Sequence, residues 1–252
     1  MGLEPSEASF VVPCRQLDVR APFRWLASGW RDLRRASALS AVFGLVTVVV
    51  SLLVSWLAWS LGRFALLAVL LSGFVFIAPL LGVAMYAVSR SLLDGETPRL
   101  GSSLQLARRV LGQAGVFALI QLVVMLLWSR AGMMLTVFVP IHEGDPRALL
   151  EYLLIGSLVG SVFAALTFAV AVVSLPLIAD RDVDMVTACI SSVNAVLRNK
   201  GVMALWAVLI AVLTALGFAT AFIGLGIVMP WLAYASFHAY RDTLDANDWP
   251  RA

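Results

Sequence analysis

The sequence predicts an all-α membrane protein. Its six transmembrane helices form three hairpins, each preceded by an interfacial amphipathic helix. Three observations carry this prediction. The first is composition: 61 % of the 252 residues are hydrophobic, 13 % are charged, and mean hydropathy is +0.94. Soluble domains hold about 25 % charged and about 45–50 % apolar residues, so an ordinary soluble domain is excluded. The second is the last apolar stretch, 39 residues from Val202 to Tyr240 without one Asp, Glu, Lys or Arg. As one helix it would run about 58 Å, twice the ~30 Å hydrocarbon core of a bilayer. It must fold back, and the expected turn lies between Gly217 and Gly226, where Gly224-Leu225-Gly226 gives the backbone freedom. The third is the placement of the basic residues, 17 Arg and the single Lys200, in short segments between apolar spans.

The elements follow in order. Residues 1–21 are polar, contain Pro5 and Pro13, and read as a disordered N-terminus; residues 22–242 read as one membrane domain and 243–252 as a tail. Residues 1–38 hold no apolar core, so no cleavable signal peptide is expected. From Pro22 to Arg35, Phe23, Leu26, Trp30 and Leu33 share one helical face, with Arg24, Arg31, Arg34 and Arg35 around the rest. Such a helix lies in the headgroup layer. Leu39 to Leu61 is the first span, closed by Trp56 and Trp59 as interfacial anchors. After a turn at Gly62-Arg63, Phe64 to Ser89 is the second, kinked at Pro79 because proline leaves the Val75 carbonyl without its helix partner.

A second amphipathic helix carries Leu100, Leu104, Ala107 and Leu111 on one face. Gln113 to Val139 is the third span, and its Arg130 sits close enough to the end to reach the interface. An acidic loop runs from Pro140 to Pro146. Tyr152 to Ile178 is the fourth span, with Gly156 and Gly160 spaced for close helix packing. The third amphipathic helix, within Asp180 to Lys200, presents Val183, Val186, Ile190, Val193 and Leu197. The final hairpin follows.

The chain also repeats. A shift of 86 residues lays Asp94 on Asp180 and the stripe Leu100, Leu104, Ala107, Leu111 on Val186, Ile190, Val193, Leu197. A shift of 151 lays Pro79, Tyr86, Arg90 and Asp94 on Pro230, Phe237, Arg241 and Asp245. Three units result, each an interfacial helix and a membrane hairpin. Repeats of this kind often frame a central site.

Six spans put both termini on one side, which then holds 15 of the 18 basic residues and leaves Arg63, Arg130 and Arg147 on the other. The positive-inside rule makes that side cytoplasmic. The arginine bias points to a GC-rich bacterial genome, hence to the bacterial inner membrane.

Chemistry-bearing motifs are sparse. Cys14 and Cys189 make neither a disulfide framework nor a metal spacing. Asp180-Arg-Asp-Val-Asp184 opens like a calcium loop but has Met185 and Ser191 where glycine and glutamate are needed; its acids read as stabilising a helix start. Two histidines, His142 and His238, are too few for a membrane haem or metal oxidase. No phosphate loop or nucleophile–base pair is visible, and no span interior carries an acid of the kind a proton-coupled pump uses. No cofactor, no metal and no enzymatic activity are therefore expected.

One constellation stands out. Asn194, Arg198, Asn199 and Lys200 precede the fifth span, and His238, Tyr240 and Arg241 follow the sixth. A tight hairpin would bring them together at the cytoplasmic rim. Arginine forks there suit anionic lipid headgroups; the alternative is a solvated, positive-inside rim.

Three stretches resemble a family of uncharacterised, predicted bacterial integral membrane proteins, the domain-of-unknown-function family numbered 2189. They are Ala21-Pro-Phe-Arg-Trp-Leu with Gly29-Trp-Arg-Asp-Leu33, Pro176-Leu-Ile-Ala-Asp-Arg-Asp-Val183 with Asn194-Ala-Val-Leu-Arg-Asn199, and Pro230-Trp with His238-Ala-Tyr-Arg-Asp242. The resemblance implies a multipass inner-membrane protein with no established activity. Two functions remain open. One is a structural or accessory membrane component with membrane lipids, anionic headgroups among them, and another membrane protein complex as partners; no nucleic acid is expected. The other is a carrier or channel for a small solute or lipid, whose cavity would have to draw on Gln121, Thr167, Thr214 and Thr220.

Overall fold

The computed structural model describes residues 11–61, 81–138 and 146–252. Among these the chain is helical, and its only extended pairings are two isolated bridges, Cys14 with Leu244 and Arg181 with Arg251. The helices are α1 (Ala21–Arg35), α2 (Ser37–Leu61), α3 (Leu81–Leu93), α4 (Leu100–Arg109), α5 (Leu111–Phe138), α6 (Pro146–Ala171), α7 (Ser174–Asp180), α8 (Met185–Arg198), α9 (Lys200–Ala219) and α10 (Leu225–Thr243). Four stretches are long and apolar enough to cross a membrane: Ser37–Leu57, Leu111–Leu135, Leu150–Asp180 and Lys200–Ala219. The Gly62-Arg63 turn, the Pro79 kink and residues 140–145 of the acidic loop lie outside the described residues.

Three times an amphipathic helix meets a long apolar one through a single-residue joint. Ala36 joins α1 to α2, Val110 joins α4 to α5, and Asn199 joins α8 to α9. The amphipathic helices lie where the apolar spacing places them, but several of the large stripe residues face outward, while Ala107, Val183, Leu26 and Leu33 of the same stripes meet the core. Phe23 is 55 % exposed and Leu104 47 %, and Leu197 reaches 59 %. The inward faces include Trp25, Gly29 and Asp32 in α1, Ser103 and Ala107 in α4, Met185, Ala188, Cys189 and Ser192 in α8. Small side chains allow close contact with the bundle, while the outward apolar ones are left for a lipid-facing surface.

The core is built around α10, which packs against α1, α2, α7 and α9. Two glycines permit this. A Cβ on Gly29 would lie 2.6 Å from the Ala235 nitrogen, and one on Gly44 would collide with the Gly226 carbonyl oxygen. The Gly156/Gly160 pair, by contrast, meets only side chains of α5, Leu135 at 3.3 Å and Trp128 at 3.8 Å. The closest backbone approaches are therefore made by lone glycines facing α10, not by the GxxxG pattern. Indole rings complete the seam: Trp25 meets Trp206 edge-on at 5.5 Å, and Trp30 meets Trp231 at 5.1 Å. The Trp231 indole donates to the Leu26 carbonyl at 2.8 Å.

The α9–α10 turn falls where expected, between Ala219 and Leu225, but its left-handed residues are Ala221 (φ 50°) and Phe222 (φ 69°). Gly217 and Gly224 serve close approach instead. A Cβ on Gly217 would lie 2.5 Å from Leu225, and one on Gly224 2.5 Å from Thr220 Oγ1.

The fourth predicted span breaks at Val172-Val173, between α6 and α7. Pro176 cannot bond the Val172 carbonyl and its ring crowds it. Ser192 of α8 repairs the break: its hydroxyl donates to the Ala169 carbonyl at 2.7 Å and accepts from the Val173 amide at 3.3 Å. Gln113 and Asp184 both serve the start of α8, accepting from the Met185 and Thr187 amides at 2.8 and 2.9 Å.

Residues 11–20, expected to be disordered with the rest of the N-terminus, are held in place. Val12 is fully buried and its amide donates to Ser191 Oγ at 3.0 Å. The Arg15 amide donates to the Thr243 carbonyl at 2.8 Å, and the Asp245 amide to the Pro13 carbonyl at 2.9 Å. The segment after α10 is equally engaged, through Asp182 to Pro250 and Ala252 to Asp180 backbone bonds. Prolines, which argue against helix, are compatible with an extended segment docked on a surface.

Candidate functional site

The polar side chains of this chain gather where its apolar helices end. The deepest charged one among the described residues is Asp180, the last residue of α7, at 1 % exposure. A carboxylate at a helix C-terminus opposes the helix dipole, and one removed from water needs charged partners. Asp180 Oδ2 accepts from the Tyr240 hydroxyl at 2.9 Å and Arg241 Nη1 at 3.1 Å. Arg181 Nε lies 3.3 Å from the same oxygen, and Arg90 Nε lies 3.7 Å from Oδ1. Arg90 then ties α3 to the neighbouring backbone, donating to Ala179 O at 2.8 Å and Ala252 O at 2.9 Å.

A second buried acid, Asp32 of α1, collects Ser89 Oγ at 2.8 Å and His238 Nε2 at 2.7 Å. A third centre is Asn199, the joint between α8 and α9. Its amide nitrogen donates to Arg15 O at 3.0 Å and reaches Cys14 Sγ at 3.2 Å, and its oxygen accepts from the Leu17 amide at 3.0 Å. Burial pushes the Cys14 thiol up from its ordinary value.

The rim constellation is thus divided. Tyr240 and Arg241 go to Asp180, His238 goes to Asp32, and Asn199 clasps the N-terminal segment. Asn194 and Arg198 pair with each other at 3.3 Å on an exposed face, and Lys200 is exposed. The hairpin alone does not join the two groups. The bridge is the N-terminal segment, whose Arg15 backbone meets Asn199 and whose guanidinium meets Asp245 at 3.1 Å.

Two hollows accompany these centres. One, of about 190 Å³, is lined by Arg15, Arg181, Tyr240, Arg241, Leu244, Ala246 and Asn247. The other, of about 360 Å³, lies between α5 and α6 and is largely apolar, with Gln121 and Thr167 as its polar lining. Two of the four polar span residues named from the sequence therefore share one hollow. Thr220 does not join them: it locks the α9–α10 turn by donating to the Gly217 carbonyl at 2.8 Å. Among the described residues no group of three or more His, Cys, Asp or Glu is placed to hold a metal. Arg130 is exposed on α5.

Asp32, Arg90, Asp180 and Arg181 were not among the rim residues singled out from the sequence. The repeat carried a signal for two of them, Asp180 through the shift of 86 and Arg90 through the shift of 151. Arg90 and Arg241, equivalent under the shift of 151, hold the same carboxylate from α3 and α10. Tyr86 and Phe237, equivalent under the same shift, stack on each other with centroids 6.4 Å apart. Asp32 had no such signal.

No curated protein and no solved structure matches the chain. Of the resembling stretches, the Pro176–Asp180 part lies in the segment that a family model does match, which ends at Asp180. Over that segment, residues 66–180, the chain matches the family described as predicted integral membrane protein (DUF2189), whose function is unknown.

Proposed function

We propose that the chain is a non-enzymatic structural or accessory component of a bacterial inner membrane. In this reading it crosses the bilayer six times as three hairpins, with both ends in the cytoplasm. The observation that carries the structural role is the commitment of its polar groups to one another. Asp180, Asp32 and Asn199 tie together α1, α3, α7, α8, α10 and both flanking segments. A buried polar network of this kind rigidifies the end of a bundle. An even number of spans, as six requires, is supported by the pairing of residues 13–15 with 243–245, since an even number of crossings returns the chain to its starting side. The orientation rests on the 15-to-3 division of basic residues.

Two experiments test this. Single cysteines replace Asp145 and Thr97 in a chain lacking Cys14 and Cys189, and an impermeant thiol reagent is applied to intact spheroplasts. Labelling at 145 with protection at 97 is expected; the reverse pattern overturns the topology. Gentle-detergent purification, with identification of co-purifying proteins, then tests the accessory role. A reproducible stoichiometric membrane partner is expected, and a chain that always purifies alone counts against it.

The second reading, a carrier or channel for a small solute or lipid, is favoured by the α5–α6 hollow. Gln121 Oε1 is buried there with no hydrogen-bond partner among the described residues. A carrier using that oxygen loses transport in Gln121→Leu, whereas a structural protein keeps its stability and partners.

A further inference from the structure

We propose that the hollow lined by Arg15, Arg181, Arg241 and Asn247 is a binding site for a phosphate-bearing anion. The hollow carries a surplus of positive charge. Arg90, Arg181 and Arg241 share one carboxylate, Asp180, while Arg15 has Asp245. Of these, Arg15, Arg181 and Arg241 line the hollow and answer to two carboxylates, Asp180 and Asp245, so one positive charge there is in excess.

The donors are in surplus as well. Each guanidinium carries five N–H groups and a carboxylate about four acceptor positions. Oδ2 of Asp180 already takes the Tyr240 hydroxyl and Arg241. Arg181 is only 8 % exposed, and its Nη1 is spent on the Trp249 carbonyl at 2.7 Å. Its Nε, 3.3 Å from Asp180 Oδ2 but off the line of a hydrogen bond, has no acceptor among the described residues. That buried charge is costly to leave half-paired, and an anion in the adjoining hollow, held by the partly exposed Arg15 and Arg241, adds a counter-charge beside it.

Size and access agree. The hollow, about 190 Å³, holds roughly six times the ~30 Å³ share of one liquid water. That is enough for a phosphate group and part of what it is attached to. Arg15 and Arg241 are partly exposed, so an anion can enter without unfolding the site. Tetrahedral phosphate, which only accepts when fully ionised, matches converging arginine forks. The Asn247 amide now spends one donor on Asp245 at 2.6 Å and has a second for the ligand. The phosphate could belong to a lipid headgroup or be a free solute; the chemistry of recognition is the same.

The test uses the full-length protein. Inorganic phosphate is titrated calorimetrically into detergent-purified chain at constant ionic strength. In parallel, nanodiscs of phosphatidylcholine mixed with phosphatidylglycerol are analysed by native mass spectrometry for retained phosphatidylglycerol. Saturable binding in at least one arm is expected, and which arm responds assigns the phosphate to solute or lipid. Arg15→Gln and Asn247→Asp change the mouth of the hollow and leave the Asp180 ion pairs intact. Each should weaken that binding about tenfold, the worth of one charged hydrogen bond. Arg251→Gln removes the same charge from a residue that does not line the hollow and pairs instead with Asp94; it should leave binding within about twofold. No saturable binding in either arm overturns the site, as does a loss in Arg251→Gln equal to that in Arg15→Gln.

Discussion

Single residues close this molecule at its polar end, and Asp180 is the most exacting of them. Replacing it with asparagine leaves Arg181 buried without a carboxylate. Breaking a buried ion pair from one side costs about 3–5 kcal/mol, so Asp180→Asn should lower the thermal unfolding temperature in detergent sharply. Arg241→Gln, at a side chain 38 % exposed, should cost markedly less. Asp184 carries a pH-dependent share. The Thr187 amide holds its carboxyl below the ordinary value of 3.8. A carboxylate with a lowered folded value stabilises fully above the unfolded value and loses that contribution as pH falls through the folded one. Asp184→Ala should therefore cost about 1 kcal/mol at neutral pH, as other N-cap losses do. The gap between variant and parent should shrink on acidification below pH 3.8. A gap that stays constant would mean the cap does not act through its charge.

At the scale of elements, the helices are arranged by where small residues permit contact. Gly44 faces the Gly226 carbonyl directly, and backbone cannot retreat as a side chain can. Gly44→Ala should therefore separate α2 from α10 at about 1–3 kcal/mol, the usual cost of overpacking. Gly156→Ala meets only the Leu135 methyl at 3.3 Å, and Gly112→Ala meets nothing within 4 Å. Both should be tolerated, with the gain of removing a helical glycine offsetting any crowding. Unfolding of the three variants in one detergent checks the order. Equal losses at Gly44 and Gly156 would contradict the α2–α10 packing. The outward large apolar residues of α1, α4 and α8, such as Phe23, Leu104 and Leu197, leave an apolar surface beside the bundle that suits lipid.

Across the whole molecule, the N-terminal segment is a clasp rather than a tail. It reaches α8 through Val12, the α8–α9 joint through Arg15 and Leu17, and the end of α10 through Thr243. Asn199 holds it with three of its polar contacts. Asn199→Ala should therefore free the segment and expose Cys14. Maleimide labelling of Cys14 in detergent should accelerate at least a few-fold. Cys189, whose thiol burial pushes up to about 11, should stay slow and report that the fold persists. Unchanged Cys14 labelling would show that the clasp holds without Asn199.

The sequence by itself determined the membrane class, most of the helix positions, the three amphipathic helices and the end of the molecule where charge collects. These follow from length, period and hydropathy, which are local properties and survive without knowledge of packing. The α9–α10 turn and the Asp184 cap were legible for the same reason. Tertiary structure alone decided which face of each amphipathic helix is buried. An apolar stripe has two possible partners, protein or lipid, and the spacing is the same for both. It alone decided that lone glycines against α10, and not Gly156 and Gly160, make the close backbone approaches. It alone decided which acid each arginine meets, since Arg90, Asp180 and Arg241 are brought together from distant parts of the chain. Such pairings depend on how helices cross, and helix crossing is a property of the assembled bundle rather than of any one segment.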